Sequence, residues 1–181
     1  MKRWMVVLLL TGLLAGCAPW TQTGGLYKSD KDRYSVELPQ GWMRLNASND
    51  LLITRDGILL QTIVIQRVDF KDGLKNTKKK FSKEMIPAEV AEVALDDFAS
   101  TPGVLNLEIQ ENSPTKIGGM TGFQAVCNWK TRDGLRVRSV QYGFLSEESF
   151  YSIRYNAALR YYFEKDREAF EKVVESFKLF K

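Results

Sequence analysis

Between Phe123 and Ala157 apolar and polar residues alternate through three runs separated by two turn signals. That period restricts the chain to an antiparallel sheet. Asp133-Gly134 is a tight hairpin signal. Closing the chain there sets Phe123 opposite Phe144, Ala125 opposite Tyr142, Cys127 opposite Val140, and Trp129 opposite Arg138 as a cation–π pair. A second reversal at Ser146-Glu147-Glu148-Ser149 sets Phe144 opposite Tyr151, Tyr142 opposite Ile153 and Val140 opposite Tyr155. Both turns place the same residues on one apolar face, and a slip of one residue would scatter them. Cys127 falls on that face and reads as a small core hydrophobe. The opposite face carries Asn128, Ser139, Gln141, Arg154 and Asn156, either the wet side of the sheet or a polar recognition surface.

The flanking segments supply the rest of an α+β pattern. Tyr34 to Leu38 alternates as a half-buried strand, and Pro39 to Trp42 ends it as a turn. Leu51 to Thr54 is a short strand, joined through the hairpin signal Asp56-Gly57 to Ile58–Val68. That last segment is apolar on both faces, as in a central strand. Asp69 to Lys83 is polar and basic, peaking at Lys78-Lys79-Lys80, and reads either as a solvated loop or helix surface or as a patch for anionic headgroups or an acidic partner. Pro87 opens a helix whose Ala91, Ala94, Leu95 and Phe98 share a face through Ser100. Its neighbours Asp96 and Asp97 point in different directions and read as solvated, not as a catalytic dyad. Leu105 to Glu111 is a strand. Gly118, Gly119 and Gly122 mark positive φ or close packing, without the pattern of a phosphate loop. Tyr162 to Ser176 is an amphipathic helix with Phe163, Phe170, Val173, Val174 and Phe177 on its apolar stripe and Glu168–Lys172 as an ion pair.

The beginning of the chain is an address. Lys2 and Arg3 precede an apolar stretch, Trp4 to Leu14, that is too short to span a bilayer. Leu14-Ala15-Gly16-Cys17 follows in the order of a bacterial lipobox. Residues 1–16 are expected to be a signal peptide cut between Gly16 and Cys17, with acyl chains on Cys17 holding the protein to a membrane. Residues 17–30 read as a lipidated, flexible tether, and 31–181 as one domain. Ala18 in place of Asp indicates the outer membrane, facing the periplasm of a Gram-negative cell.

Composition closes off several chemistries. The chain has no histidine, which removes the commonest general base and metal ligand. With Cys17 acylated, Cys127 has no thiol partner, and no metal site or cofactor motif stands in the sequence. The net charge of +4 includes Lys2 and Arg3 of the leader, and both signs are interspersed, so no nucleic-acid face is indicated. No catalytic residues are assigned.

Tyr34-Ser35-Val36-Glu37-Leu38-Pro39 with Gly41-Trp42, then Ile117-Gly118-Gly119 with Gly122-Phe123, and finally Tyr151-Ser152-Ile153 before Phe170–Phe177, together resemble the PsbP-like superfamily. The resemblance covers about residues 30–181. It implies a central antiparallel sheet with helices on its faces, an α/β/α sandwich, and non-catalytic accessory roles exercised by protein contact. It transfers no metal or docking residue to this chain. The expected function is that of a lipid-anchored envelope protein binding a protein partner. The alternative is a carrier or sensor of a small or lipidic ligand.

Overall fold

The computed structural model describes residues 19–180, so Gly16 and Cys17 lie outside the described residues. In chain order the strands are β1 (Trp20–Gln22), β2 (Gly25–Ser29), β3 (Tyr34–Leu38), β4 (Met43–Leu45), β5 (Leu51–Thr54), β6 (Gln61–Asp69), β7 (Leu105–Ile117), β8 (Met120–Lys130), β9 (Arg136–Leu145), β10 (Ser149–Ala158) and β11 (Lys178–Leu179). The helices are α1 (Pro87–Ala99), α2 (Tyr162–Lys165) and α3 (Arg167–Ser176). An 8-stranded antiparallel sheet runs in the order β1-β4-β5-β6-β10-β9-β8-β7, and a 3-stranded sheet runs β11-β3-β2. The α+β class expected from the pattern is the one observed.

The large sheet buries both faces, each in its own way. On one face Ile63, Ile65, Val140, Tyr142, Ile153 and Tyr155 meet Tyr34, Val36 and Trp42 from the small sheet's side and Phe163, Phe170 and Phe177 from the C-terminal helices. On the other, α1 lays Val90, Ala91, Ala94 and Leu95 over Phe123, Ala125, Cys127 and Phe150. Each fully buried side chain of this size contributes about 1.5–3 kcal/mol. Pro87 opens α1, where a missing N–H costs nothing, and Glu89 Oε2 accepts from the Ile86 N–H at 2.9 Å. The described members of both cores all lie after Pro19, so every described element and its packing belong to the portion from Pro19 onward.

Several expectations are corrected. The stretch read as a tether contains β1 and β2, and the Asn46 N–H already donates to the Pro19 carbonyl at 2.9 Å. The strand expected from Ile58 begins at Gln61, because the Gly57 carbonyl accepts from both Leu60 and Gln61 and carries Ile58 and Leu59 into a wider turn. The helix expected from Tyr162 to Ser176 breaks at Asp166. That carboxylate is 3% exposed and accepts from Arg55 Nη1 at 2.7 Å and Gln61 Nε2 at 2.8 Å, which draws its backbone out of helical geometry. Asp97 is tied into the fold, not solvated: it accepts the N–H groups of Asn76 and Thr77, both at 2.8 Å, and fixes the basic loop on α1. Asp96 is paired with Lys79 at 2.8 Å. The stripe Phe163, Phe170, Val173, Val174 and Phe177 is buried, and Lys172 meets Glu168 at 2.7 Å as expected.

The hairpin registers divide. Between β9 and β10, Phe144–Tyr151, Tyr142–Ile153 and Val140–Tyr155 pair as the turn at Ser146–Ser149 requires. Between β8 and β9 the register is one step away from expectation: Phe123 pairs with Gly143, Ala125 with Gln141, Cys127 with Ser139 and Trp129 with Val137. The turn is longer than Asp133-Gly134 alone, spanning Thr131 to Leu135 with the Thr131 N–H donating to the Leu135 carbonyl at 3.0 Å. Phe123 lies across Gly143, where a Cβ would stand 2.4 Å from its ring. Phe123, Ala125 and Cys127 therefore face α1 and not the larger core. The Trp129–Arg138 pair does not form. Arg138 lies over the Phe163 ring at 5.4 Å and Trp129 packs edge-on against Phe98.

Candidate functional site

Strand parity brings Ser139, Gln141, Arg154 and Asn156 to the α1 face of the large sheet, as the correct β9–β10 register demands. Asn128 lies on the opposite face, where its Oδ1 accepts from Arg138 Nε at 2.9 Å, and so leaves the polar row. Two residues outside the expected set complete the row. Trp129 Nε1 donates to Ser139 Oγ at 2.7 Å, Ser139 Oγ donates to Asn156 Oδ1 at 2.8 Å, and Asn156 Nδ2 donates to Thr62 Oγ1 at 3.2 Å. This chain of bonds crosses β8, β9, β10 and β6 and satisfies its members, which is the condition for keeping polar groups inside a sheet sandwich.

Arg154 is different. It stands between Val64 and Gln141 in the next cross-strand row, with its guanidinium 4.2 Å from the centre of the Phe98 ring. Its Nε and the neighbouring Gln141 Oε1 are both buried without a partner, and Arg154 forms no ion pair among the described residues. Burial pushes its pKa down to about 10, against the pull of Asp50, Asp97 and Cys127. It remains a cation at neutral pH. An interior cation without a counter-ion is costly and uncommon.

The helix covers only part of this face. Over β8 and β9 the residues are buried under α1, whereas Leu52, Val64, Gln66, Arg154 and Asn156 on β5, β6 and β10 are half-buried and reach solvent. The result is a shallow polar floor beside α1 with an unpaired guanidinium in it. Such a floor can accept a carboxylate or another acceptor by charge-assisted hydrogen bonds.

The one described thiol, Cys127, is not poised for attack. Cys127 is 1% exposed, and burial pushes its thiol up to about 11, so the thiolate required for attack is scarce. No cluster of metal-ligating side chains stands among the described residues, and no helix there is long and apolar enough to cross a membrane. A groove of about 570 Å3 at the other end of β6 is lined mainly by charged and polar residues, among them Asp32, Asp50, Arg67 and Asp69, so it lacks the apolar wall a lipid carrier needs.

Sequence parity found four members of the row but not its most informative property. Nothing in the sequence marks Arg154 as unpaired, Phe98 as its platform, or β5 and β6 as the open half. Those depend on where α1 stops covering the sheet.

No family model matches the chain, and no curated protein matches it in sequence. Solved structures match it in shape. The cyanobacterial PsbP protein CyanoP from Synechocystis superposes with a TM-score of 0.60 at 14% identity, covering 92% of this chain and 96% of that one. The yeast Ran-binding protein Mog1p superposes with a TM-score of 0.60 at 9% identity, covering 88% and 96%. LpqN of Mycobacterium tuberculosis, a protein involved in cell envelope biogenesis, gives 0.54 at 16% identity over 90% and 91%. Identities this low establish shape alone. The chain has the α+β fold shared by PsbP, Mog1 and LpqN, as its sequence resemblance implies.

Proposed function

We propose that the chain is an envelope lipoprotein, acylated on Cys17 after cleavage behind Gly16, that binds a protein partner through the open polar floor around Arg154. The observation that carries the binding surface is the guanidinium of Arg154, buried at Nε, lying over Phe98 and without an ion-pair partner among the described residues. Desolvating a cation with nothing to pair it destabilises the free protein and is recovered when a partner supplies the anion. A non-catalytic role agrees with the absence of histidine and the inert thiol of Cys127. It also agrees with neighbours in shape that include a Ran-binding protein and a protein of envelope biogenesis. The outer membrane, periplasmic side, is the compartment proposed. Since β1 starts at Trp20, only Ala18 and Pro19 would separate the acylated residue from the sheet, a leash of about 10 Å at full extension. The domain would then sit against the lipid surface instead of standing off it.

Two measurements test this. Mass spectrometry of the protein extracted from native membranes should give an N-terminal peptide beginning at Cys17 with lipid mass attached; a free thiol there removes the anchor. Affinity capture after crosslinking in intact envelopes should recover a specific protein with the wild type and with Asn128→Ala, and lose it with Arg154→Ala. Equal recovery by all three removes the assigned floor.

A further inference from the structure

We infer that the end of the large sheet where β5 turns into β6, β8 into β9 and β10 into α2 docks on an anionic lipid surface. Hydrogen bonds hold the three segments together: the Ala158 N–H donates to the Leu60 carbonyl at 2.8 Å and the Leu159 N–H to the Arg136 carbonyl at 2.9 Å. Each segment projects apolar side chains into water. Ile58 is 54% exposed and Leu59 80%, Leu135 is 37% exposed and Tyr161 62%. They stand on separate turns, and the groove at this end, bordered by Asn106, Glu108, Lys130 and Arg136, has none of them in its wall.

The charges among these tips are mostly positive. Lys130, Arg132, Arg136 and Arg160 are exposed, and none is in an ion pair among the described residues. The acids at this end are Asp56, neutralised by Lys165 at 2.6 Å, Asp133 and, on the border of the groove, Glu108. The other end of the sheet carries both signs, with Asp32, Asp50, Asp69, Asp72, Glu147 and Glu148 beside Lys31, Arg67 and Lys71. The molecule thus has a cationic end with apolar tips and an end of mixed charge opposite. A bilayer interface takes scattered apolar side chains into the acyl boundary while its phosphates meet the guanidinium groups. The tips line no cleft that would hold a small ligand. Charge complementarity therefore selects an anionic membrane as the occupant, each cation strengthening binding about five-fold.

The test uses the chain from Pro19 onward, which contains the whole described fold and has no Cys17, so its outcome is independent of acylation. Co-sedimentation is measured with vesicles of phosphatidylcholine alone and with equimolar phosphatidylcholine and phosphatidylglycerol. Binding is expected only to the anionic vesicles and is expected to fall as salt is raised. Ile58→Ser with Leu59→Ser should weaken it about ten-fold or more, and Arg132→Glu with Arg136→Glu should abolish it. A variant with Lys78, Lys79 and Lys80 changed to Ser, in the exposed basic loop on α1, should bind as the wild type does. No binding to anionic vesicles, binding indifferent to the tip substitutions, or binding lost through the lysine loop instead would each overturn the assignment.

Discussion

Arg154→Met is expected to make the protein more stable. The guanidinium lies over Phe98 with its Nε desolvated and no ion-pair partner among the described residues, and burial pushes its pKa down to about 10. A decade in proton affinity is worth about 1.4 kcal/mol, so this depression corresponds to about 3 kcal/mol as an upper bound. Arg154 still touches solvent, which cuts the cost to about 1–2 kcal/mol. The lost cation–π contact returns about 0.5–1 kcal/mol, and methionine keeps a sulfur–ring contact in its place. The net expectation is a gain of about 1 kcal/mol, a rise in melting temperature of about 2–4 °C for a domain of this size. The sign with pH is fixed. A base whose folded pKa is depressed penalises the native state fully below that pKa, and the penalty is relieved only as pH rises through about 10. The gain on substitution is therefore constant through neutral and mildly acidic pH. Urea unfolding of the two proteins at several pH values measures it. A loss of stability on substitution would show that the native fold holds Arg154 in place, and the case for a missing partner anion would fail.

Three further outcomes follow from the packing. Asp166→Ala removes a buried acceptor shared by Arg55 and Gln61, and should cost about 2 kcal/mol in urea unfolding after allowance for the half-exposed Arg55; a neutral result would show the helix break to be set elsewhere. Gly143→Ala would drive a methyl group to 2.4 Å from the buried ring of Phe123, and should lower stability by about 2 kcal/mol or more, against about 1 kcal/mol for Gly134→Ala in its exposed positive-φ turn. With no histidine in the chain, stability should be flat from about pH 6 to 8. Asp56 is held below the ordinary carboxylate range by hydrogen bonds from Lys165 and Gln61, and Asp69 by one from Ser149, so their contribution is present above 3.8 and lost as pH falls through their folded pKa. Asp50, raised by burial and by Asp32, works in the opposite sense. An unfolding midpoint that dropped between pH 8 and 6 would contradict this assignment of titrating groups.

What the sequence made legible follows from how strongly each strand distinguishes its faces. β10 is apolar on one side at Tyr151, Ile153 and Tyr155 and polar on the other at Ser152, Arg154 and Asn156, so its pairing with β9 could be read from the turn and the pattern together. β8 carries Phe123, Ala125 and Cys127 on one side and Val126 on the other, and both sides are covered, so periodicity gave no vote and the turn signal alone decided. That signal erred by one residue, because Asp133-Gly134 sits inside a longer loop. The candidate site inherits this division. Ser139, Gln141, Arg154 and Asn156 lie on β9 and β10 and came together as expected, while Asn128 lies on β8 and went to the other face. Of the small sheet its central strand β3 was legible from its alternation, whereas β2 is a largely exposed edge strand whose apolar side chains face water or one neighbour. Arg154 marks the limit of such reading: its place on a face follows from a period of two, but its lack of a counter-ion depends on where α1 ends over the sheet, which no local pattern encodes.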